Sequence, residues 1–152
     1  MTGTKARSAV TAWGIWPRAA FGAALALAGN LAVWAIAATA GVEVMITEPP
    51  NMDVYVSLTA VNLVLSSLVP AALAAIGLVL LSRLNPPRSL RIFQIVVTVL
   101  TLLSLGAPLT LDVDTGNRLA LSAMHLVTGA AVIVAQSWGT RNDRARLEPT
   151  DG

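Results

Sequence analysis

Cysteine is absent from this 152-residue chain, and histidine occurs once, at position 125. The first absence excludes disulfides, thiolate nucleophiles, Cys-ligated zinc, iron–sulfur clusters and S-palmitoylation. The second excludes a multi-histidine metal cage, or a haem held by two histidines, built by this chain alone. No metal and no cofactor is therefore expected. Charge is scarce as well: Asp, Glu, Lys and Arg make up 12% of the residues, against 55% hydrophobic ones. A soluble domain carries roughly a quarter charged residues, and the mean hydropathy of +0.71 points the same way. None of the long apolar stretches contains a carboxylate, the group that a proton-coupled exporter would ordinarily place within a span. The GxSxG, HExxH, Walker and GxGxxG patterns are missing too, so there is no sign of a phosphate cradle or a zinc-protease site.

What charge there is falls in a pattern. Nine of the ten basic residues lie in three places. Lys5, Arg7 and Arg18 precede the first apolar stretch. Arg83, Arg88 and Arg91 sit between the second and third, and Arg141, Arg144 and Arg146 follow the fourth. The alternate connections carry Glu43, Glu48, Asp53, Asp112 and Asp114, with Arg118 as their only base. Basic residues near span ends stay in the cytoplasm. The pattern thus predicts an all-α integral membrane protein, an antiparallel four-helix bundle with both termini cytoplasmic, in a bacterial plasma membrane. The basic excess that gives a pI of about 9.9 is then a loop bias. It implies anionic lipid headgroups as partners of the arginines and no nucleic acid.

Residues 1–17 read as a cytoplasmic segment, with Trp13, Ile15 and Trp16 as an interfacial anchor before Pro17. The spans are expected at about 18–42, 56–81, 90–111 and 117–138. Each is long enough for a hydrocarbon core of roughly 30 Å. The first apolar run exceeds the usual h-region of about 7–15 residues, so it reads as an anchor and not as a cleaved signal peptide. Between the first two spans, Pro49-Pro50 breaks an external loop and Tyr55 marks the return to the interface. Asn85-Pro86-Pro87 makes a tight turn, with Ser89 expected as the following N-cap. Asp114 or Thr115 can cap the fourth helix. The charged segment 139–152 reads as a disordered tail.

Helices associate in lipid through close packing and interhelical hydrogen bonds, so small and polar residues at helical spacing should mark inner faces. Gly22, Ala26 and Asn30 share one stripe of the first span. The second offers Asn62 and Ser66, with Pro70 one turn on. Pro70 cannot bond the Ser66 carbonyl, so a kink or a rescuing hydroxyl is expected there. Gln94, Thr98 and Thr101 mark the third span, and Arg118, Ser122, His125 and Gly129 the fourth. Most of these are expected to be packing positions, with Gly22, Ala26, Asn30, Pro70, Thr98, Thr101 and Gly129 as the helix contacts. Asn62, Ser66, Arg118, Ser122 and His125 form the candidate binding site, because all five lie in the outer halves of their spans. Arg118, Ser122 and His125 are spaced by four and three and share a helix face. The site would be an outward-facing pocket, with Arg118 drawing a polar or anionic headgroup. The structural alternative is that Arg118 pairs with Asp114 and His125 is satisfied by a neighbouring helix. A Ser–His dyad of Ser66 or Ser122 with His125 would make an intramembrane hydrolase, but no oxyanion-hole signature accompanies it.

Ser104-Leu105-Gly106-Ala107-Pro108-Leu109, a short polar turn, and then Met124-His125-Leu126-Val127 resemble a family of small actinobacterial four-pass membrane proteins of unknown function. The resemblance spans roughly 18–138. It implies a four-helix bundle and a matching histidine at His125, and nothing about activity, substrate or cofactor. The leading expectation is a non-enzymatic accessory or scaffold component that packs against a membrane-protein partner or a second copy. The alternative is a lipid- or small-molecule-binding carrier that uses the Asn62–His125–Arg118 pocket.

Overall fold

The computed structural model describes the backbone of residues 12–48, 51–85 and 87–147, and the side chains of 14–47, 54–85 and 87–138. The elements run α1 (Ala12–Thr39), β1 (Met45–Glu48), β2 (Asn51–Ser57), α2 (Ala60–Leu84), α3 (Ser89–Ser104), α4 (Gly106–Thr110) and α5 (Thr115–Leu147). Among the described residues, four stretches are long and apolar enough to cross a membrane: Gly14–Thr39, Ala60–Leu84, Ser89–Thr110 and Thr115–Trp138.

Several boundaries differ from the sequence expectation, each for a physical reason. The first helix starts before Pro17, and Ile15 is fully buried instead of anchoring at an interface. It packs in one cluster with Ala19 and Ala23 of α1, Ala71, Ala75 and Leu78 of α2, Phe93 of α3 and Val132 of α5. Trp16 is exposed, and the Trp13 side chain lies outside the described residues. At its other end α1 stops in a Schellman motif. Val42 N–H reaches Ala37 O at 2.9 Å and Gly41 N–H reaches Ala38 O at 3.1 Å. Gly41 adopts φ +75° there, a conformation that costs a side-chain-bearing residue roughly 1 kcal/mol.

The expected external loop is a β-hairpin. Met45 pairs with Ser57, Ile46 with Val56 and Thr47 with Tyr55, antiparallel, and the register shifts before Glu48 pairs with Asn51. The β-branched and aromatic residues Ile46, Thr47, Val54, Tyr55 and Val56 favour this pleated conformation. Val56 therefore belongs to a strand, and α2 begins only after Thr59. The Thr59 hydroxyl accepts the Asn62 N–H at 3.3 Å, a first-turn cap. Arg88, and not Ser89, occupies the cap position of α3; Ser89 is buried in its first turn. The third span breaks at Leu105, because Pro108 has no N–H for the Ser104 carbonyl. The chain resumes as α4, with Pro108 buried. Asp114 is the cap of α5: its Oδ1 accepts Asn117 N–H at 2.9 Å and its carbonyl accepts Arg118 N–H at 3.1 Å. Helix α5 continues to Leu147, so the tail expected to be disordered from 139 begins as helix; residues beyond 147 lie outside the described set.

Helix α1 packs against α2 and α5, and α3 packs against the same two. Burial is unequal: the span in α5 is the most buried of the four and the third span the least. Of the expected packing positions, Ala26 and Asn30 are almost fully buried, and Gly22 faces Ala135. Thr98, expected on an inner face, is exposed. The inward side of α3 is centred on Leu90, Phe93, Val97 and Thr101, and Thr98 lies roughly 90° from that centre at 100° per residue. Neither hydroxyl near Pro70 rescues the Ser66 carbonyl: Ser66 and Ser67 both donate to Leu63 O, at 3.0 and 2.8 Å.

The contact between α3 and α5 turns on one glycine. A Cβ on Gly129 would stand 2.2 Å from Thr101 Oγ1 and 2.9 Å from its Cβ. Gly129→Ala must push the two helices apart, and we expect a loss of about 1–3 kcal/mol. Adding Thr101→Ala should recover much of that loss, read as unfolding temperature in detergent. Equal unfolding temperatures for wild type and Gly129→Ala would contradict this contact.

Candidate functional site

The polar side chains divide between those that cross-link elements and those that do not. Near the middle of the spans, Asn30 Nδ2 donates to Ser67 Oγ at 3.2 Å and to Thr128 Oγ1 at 3.0 Å, tying α1 to α2 and α5. Asn30 and Ser67 are buried. Sequence reasoning placed Asn30 on an inner face but missed its two partners, selecting Ser66 where the adjacent Ser67 faces α1. The signal was the four-residue line Leu63, Ser67, Ala71 and Ala75, all buried. Further along, Gln94 Nε2 donates to Ser137 Oγ at 2.8 Å, and Gln136 Nε2 to the Ile15 carbonyl at 3.4 Å.

At the hairpin end a fully buried asparagine does the work of a missing strand. Asn117 Oδ1 accepts Met45 N–H and its Nδ2 donates to Met45 O, both at 3.1 Å. This occupies the outer edge of β1 and fixes the hairpin to the start of α5. Tyr55 Oη accepts Asp112 N–H at 3.1 Å, and the Ser57 hydroxyl donates to the Glu43 carboxylate. Beneath the hairpin, Val44, Ala37, Ala120 and Leu121 form a second apolar cluster, with Val33, Val42, Ile46, Leu58 and Leu111 packed against it.

The five candidate residues gather only in part. Arg118, Ser122 and His125 lie on one face of α5, each partly buried. His125 Nδ1 sits 2.8 Å from the Leu121 carbonyl; since a carbonyl only accepts, Nδ1 carries a proton. The histidine is thus engaged by its own helix and not by a neighbouring one. The Asp114 carboxylate is committed to the Asn117 N–H, and Arg118 makes no ion pair with it. Arg118 Nε and Ser122 Oγ are buried and have no hydrogen-bond partner. On α2, Asn62 Oδ1 accepts the Thr59 hydroxyl within the cap, and the exposed Ser66 donates to its own helix. No hydroxyl of Ser66 or Ser122 bonds His125, so the serine–histidine pair of a hydrolase is not assembled. Among the described residues no three His, Asp or Glu side chains gather to hold a metal ion.

Residues 10–141 match the model of a family of unknown function, DUF6069. The chain belongs to that family. No curated protein and no solved structure matches it. Within this DUF6069 chain, the matched stretch takes in the hairpin, the Asn30 junction and the Arg118–Ser122–His125 face.

Asn117 gives a direct test of the hairpin anchor. Asn117→Ala leaves both Met45 backbone groups without their partner and should cost about 1–3 kcal/mol. Hydrogen exchange at the Met45 amide should accelerate with it. Asn117→Asp keeps the acceptor but loses the donor and should fall between wild type and Ala. Unchanged exchange in Asn117→Ala would show that the hairpin is held by other contacts.

Proposed function

We propose that this chain is a four-pass component of a bacterial plasma membrane, with both termini cytoplasmic, that acts by packing and not by catalysis. In this reading it is an accessory or scaffold subunit beside a membrane-protein partner or a second copy. The observation that carries it is how the interior polar groups are spent. Asn30 bonds both Ser67 and Thr128, Gln94 bonds Ser137, and Asn117 bonds Met45. A crevice lined by Arg18, Gly22, Ala71, Val132 and Gln136 is too tight to hold a water molecule. With that crevice closed and these side chains bonded within the fold, the outer surface is the place to act. On that surface Ala20, Ala24, Ala28 and Ala32 lie exposed along α1 at four-residue spacing, while Gly22, Ala26 and Gly29 serve the inside. Small residues so spaced let a partner helix approach closely in lipid. The carrier reading has less support, since Asn62 bonds the Thr59 cap of its own helix and Ser66 bonds its own backbone.

Orientation is supported by the distribution of arginine alone, and the absence of cysteine makes it simple to test. Single cysteines at Asn85 and Val113 should differ in intact cells, with Val113→Cys labelled by an impermeant maleimide and Asn85→Cys protected. The reverse pattern overturns the sidedness. For the packing role, mild-detergent purification should recover a co-purifying membrane protein or a homo-oligomer. Ala24→Leu and Ala28→Leu should abolish that association while leaving the unfolding temperature within a few degrees. Recovery of a lone monomer, or an association indifferent to both leucines, rejects the reading.

A further inference from the structure

Helical hydroxyls in this chain have a default. Ser66, Ser67, Ser82, Thr101, Ser104 and Thr110 each donate to a carbonyl three or four residues back, at 2.7–3.1 Å. Ser122 does not follow it. Its Oγ is buried and bonds nothing, although the Arg118 carbonyl lies four residues back. One turn nearer the hairpin end, Arg118 shows a matching irregularity. Its Nε is buried and without a partner, and the carboxylate best placed to neutralise it, Asp114, caps α5 instead. Two donors, one of them a full positive charge, thus stand on one helix face, with their Cα atoms about 6 Å apart along the axis. Desolvated donors of this kind call for an oxygen-rich acceptor, and a phosphate can take a guanidinium and a hydroxyl at once.

Depth and neighbouring charge narrow the ligand. Arg118 lies in the first turns of α5, beside the Asp112–Asp114 loop, where the fourth apolar stretch meets the headgroup layer. Asp112 and Asp114 are exposed there. Those carboxylates oppose a simple anion and attract an ammonium. We propose that Arg118 and Ser122 seat the phosphodiester of a zwitterionic phospholipid, with Asp112 and Asp114 favouring a headgroup that also carries an ammonium. The seat needs neither Asn62 nor Ser66. It is also independent of the packing role, because lipid retention reports on this site and partner capture on that one.

The test uses the full chain, purified in mild detergent, stripped of lipid and titrated separately with phosphatidylethanolamine, phosphatidylglycerol and inorganic phosphate. Bound lipid is read by native mass spectrometry, and unfolding temperature is read alongside. Phosphatidylethanolamine should bind most tightly and raise the unfolding temperature. Arg118→Gln should weaken it by about tenfold, the loss of a charge-assisted hydrogen bond, and Ser122→Ala by several-fold. Should Arg118→Gln fail to fold, Ser122→Ala still carries the test, since it removes one oxygen and no charge. Equal retention by wild type and Ser122→Ala overturns the seat. Phosphatidylglycerol binding as tightly as phosphatidylethanolamine overturns the role given to the aspartates. Protection by inorganic phosphate alone, without lipid retention, overturns a lipid ligand.

Discussion

The seam between α1 and α5 is the constraint on which the rest of the structure depends. Apolar surface gains little by pairing with itself in lipid, so helices there are held by close backbone approach and by hydrogen bonds that lipid cannot supply. This seam has both. Gly22 meets Ala135 so closely that an added carbon would crowd it, and Gly29 meets Val127 so closely that an added carbon would force the valine aside. Asn30 supplies the polar link to Thr128 at mid-depth. Every other element is positioned from this pair. Helix α2 joins through Ser67, which bonds the same Asn30. Helix α3 joins through Thr101 at Gly129 and Gln94 at Ser137, both on α5. The hairpin joins through Asn117, again on α5.

The four apolar helices were legible because their signal is summed over some 20 residues, and no local irregularity can hide it. Details set by a few atoms were not. The hairpin fell in a segment that carries Pro49-Pro50 and three acids, where composition argues for a loop. What overrides composition is Asn117, 72 residues away in the sequence, whose amide pairs the backbone of Met45. Similarly, the break at Leu105 follows from Pro108, but only the geometry shows that the chain resumes as a short helix packed on α5.

The candidate site was half legible for a related reason. Spacing along one helix fixes which residues share a face, so Arg118, Ser122 and His125 could be grouped with no knowledge of their surroundings. Spacing cannot rotate one helix against another. The polar residues Asn62 and Ser66 of α2, with the Thr59 cap before them, form an equally regular stripe, yet the face turned to α1 is Leu63 and Ser67. An error of one residue, about 100° of rotation, separates a structural hydroxyl from an exposed one. Thr98 was misplaced on α3 by the same kind of error.

A buried polar group without a partner is costly in a protein interior, and its position decides what can relieve the cost. Asn30 Oδ1 has no partner, but it sits at mid-depth on a side chain that is 1% exposed, already fixed by two donated bonds. Nothing from outside can reach it, and the two bonds it accompanies hold three helices together. Arg118 Nε and Ser122 Oγ share the same deficiency at the end of the fourth span, on side chains that are only partly buried. In the proposed four-pass arrangement the headgroup layer would supply acceptors there at high local concentration. The same deficit therefore reads differently by position: in the middle it is a cost carried by the fold, and at the span end, where the rest of each side chain keeps exposed surface, it is what the proposed lipid seat would relieve. It is this contrast in depth, and not the presence of the lone histidine, that sets the Arg118–Ser122 face apart from the other polar positions of the chain.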